Sequence, residues 1–251
     1  MNSRNACAPL APGEADRPHA ATQVQVGGAA FVGDPAGALY WPEPGLLAAA
    51  DLHLEKGSSF AARGVLLPPY DTVATLTRLA RLIATYAPRI VVALGDSFHD
   101  RNGPARLADR DRTMLRGLQQ GRQWIWIAGN HDPEPAVDIG GSFCDSFACG
   151  PIVFRHAPRT EAHAGNGACD GEIAGHLHPV ARVAQRGRIT SRRCFAGDGR
   201  RLVMPAFGAY TGGLNVRDRA FADVFGTLSF TAHMLGERRL YAIAAGRCLA
   251  D

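Results

Sequence analysis

Arg89–His99 reads RIVVALGDSFH: five apolar residues in a row, a glycine, then an aspartate and a histidine just beyond it. An unbroken apolar run of that length predicts a strand buried on both faces. Polar groups just past such a strand lie where open α/β sheets place their sites. Three other runs share the plan: Gly45–Asp51 (GLLAAAD), Gln123–Asn130 (QWIWIAGN) and Glu172–His176 (EIAGH). Each terminates in Asp, Asn or His. Between the first two strands, Asp71–Ala87 predicts a helix capped by Asp71, with Val73, Leu76, Leu79, Ile83 and Tyr86 on one side and Pro88 as its stop. Pro104–Gln120 predicts a second helix. Past Ile152 the runs shorten into strands separated by turns, at Ile152–Arg155, Val180–Ala184, Arg201–Pro205, Val224–Phe230 and Leu240–Ala245. The expected architecture is α/β (α+β), a sheet-on-sheet sandwich flanked by helices.

Composition narrows the class. The 251 residues are 46% hydrophobic and 20% charged, which excludes a disordered chain. No apolar run reaches the roughly 18–20 residues that a membrane span requires. Residues 1–22 are rich in Ala and Pro without the apolar stretch of a signal peptide, and read as a disordered tail before one domain at 23–251. A cytoplasmic protein is expected. The six cysteines form no CxxC pair and read as small, partly buried thiols. Net charge is +4, with Lys56 as the sole lysine; such a charge permits an anionic partner without naming one.

The strand-end groups carry the chemistry. In chain order they are Asp51 and His53 (DLH), Asp96 and His99 (GDSFH), Asn130 and His131 (GNHD), His156 (FRH), and His176 and His178 (GHLH). Each motif alone is a common turn or loop. Five runs ending in order in carboxylate, imidazole and amide donors are not a common accident. That donor set suits Mn²⁺, Fe or Zn²⁺, and the lack of cysteine in it argues against a structural zinc. One carboxylate can bridge two ions, and two ions about 3.5–4 Å apart clamp an in-line displacement at phosphorus. Alternation puts Asp51 and His53 on one side of the chain. His176 and His178 either share an ion or divide between two. His19, His163 and His233 read as solvated residues.

The ordered set DxH, GDxxH, GNHD, H and GHxH resembles the calcineurin-like metallophosphoesterase superfamily, over most of the chain after the tail. The resemblance implies a β-sandwich flanked by helices. It implies two divalent metal ions, Mn²⁺ first, with Fe or Zn²⁺ as alternatives. Asp51, His53, Asp96 and His178 would hold one ion, Asp96 would bridge, and Asn130, His156 and His176 would complete the second. His131 would face the phosphate and protonate the leaving oxygen, with His99 orienting it. Three longer stretches, DLHLEKGSSFAARG (Asp51–Gly64), GEIAGHLHP (Gly171–Pro179) and DGRRLVMPAFGAYTGGLNV (Asp198–Val216), resemble the bacterial ligase-associated DNA-damage-response endonucleases, the PdeM family. That implies a single-strand DNA endonuclease of DNA repair, associated with a DNA ligase, a helicase and an exonuclease. A hydroxide held between the two ions would attack phosphorus in line.

Lys56, Ser58, Ser59 and Arg63 follow the first ligand pair and are candidate phosphate contacts; the competing reading is a solvated loop with a capping serine. Tyr210 either stacks a base or packs under a glycine turn, and packing is favoured. Trp124 and Trp126 read as core. Arg192, Arg193, Arg200 and Arg201 form the densest basic stretch and are candidates for a DNA backbone. Two other functions share the motifs. One is a small-molecule phosphodiesterase or phosphatase acting on nucleotides or a nucleotide-linked lipid precursor. The other is a scaffold that docks a partner without turnover, against which the intact donor set argues.

Overall fold

The computed structural model describes residues 22–134, 138–160, 170–226 and 228–251. The expected tail lies outside them except for Thr22, which opens the first strand. Seven strands make the first sheet in chain order: β1 (Thr22–Val26), β2 (Ala29–Gly33), β3 (Leu39–Trp41), β4 (Leu46–Ala50), β5 (Ile90–Leu94), β6 (Gln123–Ile127) and β7 (Ser142–Cys144). The first four run antiparallel and β4 to β7 run parallel. The second sheet has nine strands: β8 (Ser146–Cys149), β9 (Ile152–Arg155), β10 (Gly171–Ala174), β11 (Pro179–Gln185), β12 (Arg188–Gly197), β13 (Arg201–Val203), β14 (Leu214–Asn215), β15 (Thr231–Leu235) and β16 (Leu240–Ala244). The helices are α1 (Lys56–Ala61), α2 (Asp71–Tyr86), α3 (Gly103–Arg106), α4 (Asp109–Gln119) and α5 (Arg219–Phe225).

Parity along the strands sets the layers. Leu46, Ala48, Ala50, Val92, Leu94, Ile125 and Ile127 face the second sheet, meeting Ile152, Phe154, Ile173 and Phe195. The alternate positions, Leu47, Ala49, Val91, Ala93, Trp124 and Trp126, face Leu76, Leu79, Leu82 and Ile83 of α2 and Leu115 of α4. Strands buried on both faces need apolar residues at every position, which is why β4 and β5 show no polar alternation. On the outer side of the second sheet, Ala181, Cys194 and Ala196 pack under Phe221, Val224 and Phe225 of α5. The result is a β-sandwich with a helical layer on each side. Among the described residues no helix is long and apolar enough to cross a membrane.

Three expectations need correction. No strand forms among the described residues of Val224–Phe230, the first two of which close α5: Phe221, Val224 and Phe225 recur at helical spacing, and the Asp218 carboxylate accepts from the Ala220 N–H at 2.9 Å as its cap. The helix expected at Pro104–Gln120 is two, because Leu107 takes ψ 120° and turns into the core at 4% exposure. Asp71 is the first residue of α2 and caps a different helix. Its carboxylate accepts from the N–H groups of Lys56 (2.8 Å) and Gly57 (3.2 Å), the orphan donors that open α1.

Candidate metal centre

Beyond β4, β5 and β10 the chain turns away from the sheets through left-handed residues. Asp51 (φ 53°), His53 (42°), Asp96 (43°), His176 (70°) and His178 (46°) are five of the nine non-glycine residues with positive φ among the described ones. That conformation costs about 1 kcal/mol or more per residue and survives where the surroundings fix it. Backbone bonds fix it here. The His53 N–H donates to the Asp96 carbonyl (2.9 Å), Gly208 N–H to Asp51 (3.0 Å), Leu214 N–H to His178 (3.0 Å) and Gly175 N–H to His156 (2.9 Å). Residues far apart in sequence therefore lock one another's turns.

Three ligand-type groups result among the described residues, each with its donor atoms within 4.8 Å of one another: Asp51, His53 and His178; Asp96, His156 and His176; and His53, His99 and His131. Asp96 joins the first two. Its Oδ1 lies 3.4 Å from His156 Nε2, while its Oδ2 lies 4.0 Å from His53 Nε2. The His156 ring in turn sits between the carboxylates, with Nδ1 3.7 Å from Asp51 Oδ1, and His178 Nε2 approaches that same oxygen at 3.3 Å. His176 accompanies His156 through a 3.2 Å nitrogen contact, and its N–H donates to Asp51 Oδ2 at 3.0 Å. Two glycines make the approach possible. A Cβ on Gly95 would stand 2.4 Å from the His156 ring, and one on Gly129 would stand 2.1 Å from the Asp96 nitrogen. Neither position admits a side chain.

The electrostatics disfavour charge on His53, His99 and His176. Burial, followed by the proximity of His178, His131, His99 and Lys56, lowers His53 to about 2. Burial, then the Lys56 ammonium and His131, lowers His99 to about 4. Burial and His156 hold His176 below its ordinary value. A neutral imidazole keeps the lone pair that a cation needs. The donor set fits a divalent ion on a second count: His178 Nε2 is buried with no hydrogen-bond partner, although a carboxylate oxygen is close. Two buried carboxylates ringed by imidazoles are an arrangement that a cation compensates.

His131 stands at the rim, with its side chain 44% exposed. Its N–H donates to Asp96 Oδ1 at 2.9 Å, and Nδ1 lies 2.7 Å from the backbone carbonyl of His99. Nδ1 is therefore the protonated donor, and Nε2, 3.8 Å from Asp96 Oδ2, faces the centre. The His99 ring stacks beside it at 5.3 Å, but the hydrogen bond comes from the main chain. Asn130 is exposed, and its side chain makes no hydrogen bond to the cluster.

Of the flanking candidates, Ser58 is occupied: its Oγ donates to Glu55 Oε2 (2.7 Å) and accepts from Arg106 Nε (2.9 Å). Lys56 remains close enough to the centre to disfavour charge on His53 and His99. Ser59 is buried, Arg63 is exposed and Tyr210 is half-buried. Trp124 and Trp126 are core. Arg193 is a half-buried staple, donating to the carbonyls of Ala206 (2.9 Å) and Thr211 (3.0 Å). Arg201 pairs with Asp198 at 3.4 Å, which leaves Arg192 and Arg200 facing solvent. His233 is half-buried in β15, and His19 and His163 lie outside the described residues.

One residue escaped the sequence reading. Asp132, next to His131 in GNHD, accepts from the Phe98 N–H at 3.0 Å and so ties the Asp96 loop to the His131 loop. Burial, with the Asp96 carboxylate nearby, pushes it up to about 7 against the Phe98 hydrogen bond. A carboxylate following a histidine motif was the available signal.

Among solved structures, the Pseudomonas putida nuclease MPE superposes with a TM-score of 0.68 at 25% sequence identity, over 89% of this chain and 100% of that one. The chain has a metallophosphoesterase-like fold. The E. coli phosphoesterase Yfce superposes with a TM-score of 0.38 at 13% identity, over 80% of this chain and 98% of that one. No family model and no curated protein matches the chain. The expected sandwich flanked by helices is thus the fold observed, and the histidine–aspartate groups that could hold metal sit together at one edge of it.

Proposed function

We propose that this chain is a metal-dependent hydrolase of phosphodiesters, with single-stranded DNA as its substrate and DNA repair as its setting. The observation that carries the reading is Asp96, whose two carboxylate oxygens face two separate ligand groups. Asp51, His53 and His178 with Asp96 would hold one divalent ion. Asp96, His156 and His176 would hold a second, with Asn130 next to them in the loop. Bound divalent ions, Mn²⁺ in our reading, would activate water at neutral pH and neutralise charge at phosphorus. The protein's own part is positioning and proton transfer. His131 Nε2 faces the centre and would, from the imidazolium, give its proton to the leaving oxygen, while Nδ1–H stays on the His99 carbonyl and the ring is left neutral. Lys56 and Arg63 would meet non-scissile phosphates.

The nuclease named among the structural neighbours and the three stretches at Asp51–Gly64, Gly171–Pro179 and Asp198–Val216 support nucleic acid over a small diester. On the same resemblance we place the protein in the cytoplasm, acting with a DNA ligase, a helicase and an exonuclease. Circular DNA tests the reading, since a strand without ends is opened only by an endonuclease. Mn²⁺-dependent linearisation of single-stranded circles, with duplex circles left intact, is the expected result. Intact circles alongside rapid hydrolysis of nucleotide diesters would make this a small-molecule phosphodiesterase. Metal-loaded protein inert on every diester would leave only the scaffold.

A further inference from the structure

Away from the histidine cluster, on the outer face of the second sheet, the β11–β12 and β15–β16 hairpins diverge around a groove of about 1060 Å³. Arg192, Arg238, Arg239 and Arg247 line it, all exposed. Arg186 and Arg188 line an adjoining hollow at the tip of the first hairpin. None of the six makes an ion pair or a side-chain hydrogen bond among the described residues. Other arginines do find partners, as Arg155 does with Glu172 and Arg182 with Asp251. Glu237 is the one acid in the lining, so the two hollows carry a surplus of five positive charges while the whole chain carries four. The remainder of the molecule is therefore close to neutral or slightly acidic. The cationic field is concentrated here.

The groove also offers a ring. Tyr241 is 48% exposed in its wall, and the Arg239 guanidinium lies 4.8 Å from its centroid. Unpaired arginines with an exposed aromatic form the surface that binds a single strand, through phosphates and one stacked base. A duplex buries its base faces and has no use for the ring. Along the chain, β11 leads from the centre to the groove: its first residue, Pro179, follows His178. Val183, where the groove begins, lies five residues on, about 16 Å of strand.

We propose that this groove is the track for a single-stranded polynucleotide whose scissile phosphate lies at the Asp96 centre. The inference rests on the phosphodiesterase reading above. Its test separates the two. Mn²⁺-loaded protein is titrated with a fluorescent phosphorothioate oligothymidine, which resists cleavage, at several salt concentrations. The same preparations are assayed on bis(p-nitrophenyl) phosphate, which is too small to reach the groove. A variant with Arg192, Arg238, Arg239 and Arg247 each changed to Ser should bind at least tenfold more weakly. Its log–log salt slope should fall by up to about three units, at about 0.7 per lost phosphate contact. Its turnover of the small diester should equal that of the unaltered protein. Tyr241→Ala should weaken binding with the slope unchanged, and the double variant with only Arg238 and Arg239 changed to Ser guards against misfolding of the larger one. Unchanged affinity and slope in the quadruple variant would overturn the proposal. So would an equal loss on polyglutamate with no effect of Tyr241→Ala, which would mark a docking face for an acidic protein. Unaltered protein that turns over no diester yet binds the oligonucleotide through the groove would refute the phosphodiesterase reading instead.

Discussion

His131→Ala separates proton transfer from metal binding, and the structure sets the size of each effect. The side chain is 44% exposed, so its removal forfeits little buried surface. The His99 carbonyl that it leaves is beside solvent and can be hydrated. The main-chain N–H of residue 131 keeps its 2.9 Å bond to Asp96 Oδ1 whatever the side chain, so the carboxylate between the two ligand groups stays in place. Stability should therefore change by no more than about 1 kcal/mol, a melting shift of about 2–4 °C for a chain of this size. Metal content should not change. Turnover should. A positioned acid contributes about 10²–10⁴-fold, which is about 2.7–5.4 kcal/mol of transition-state stabilisation at 1.36 kcal/mol per decade. On DNA, whose leaving group is a sugar alkoxide, the full loss is expected. On bis(p-nitrophenyl) phosphate, whose phenolate departs without a proton, the loss should fall below about tenfold. The assay compares kcat/KM on both substrates at one Mn²⁺ concentration, with bound metal measured by elemental analysis. Equal losses on both with metal retained would mean that His131 stabilises charge on the phosphate instead. Lost metal would make it a ligand, and the acid would have to be sought elsewhere.

Asp96→Ala removes the group shared by both ligand sets, so bound metal and hydrolysis should disappear together; two ions per chain with retained turnover would disprove the bridge. His99→Ala leaves the main-chain carbonyl that holds His131 Nδ1, so kcat on DNA should drop by less than about tenfold; a loss as deep as that of His131→Ala would show that the ring itself is required. Arg193→Ala strips partners from the carbonyls of Ala206 and Thr211 and should destabilise the fold by about 1–3 kcal/mol in chemical denaturation. Its affinity for single-stranded DNA, measured where the variant is folded, should be unchanged, and a weaker salt slope would return Arg193 to the DNA surface.

What could be read in the chain was whatever a strand expresses locally. β4 and β5 are apolar at every position because both faces are covered, and they, β6 and β10 each deliver a polar group at the sheet edge just beyond the strand's end. What escaped depends on partners distant in sequence. Asp71 looks like the cap of the helix it begins, yet its acceptors serve Lys56 and Gly57 fifteen and fourteen residues earlier. Asp132 serves the Phe98 N–H thirty-four residues away. The basic stretch near residue 192 shows a further limit, one that parity would have lifted. Adjacent residues in a strand point to opposite faces, so Arg192 and Arg193 in β12 cannot both meet one polyanion. Arg193 turns to the loop after β13, and Arg192 turns to the groove. Its neighbours there, Arg238, Arg239 and Arg247, lie more than forty positions on, and no local window joins them to it. The β12–β15 register, which pairs Cys194 with Met234, brings them together, so the charge surface belongs to the topology rather than to any stretch of chain.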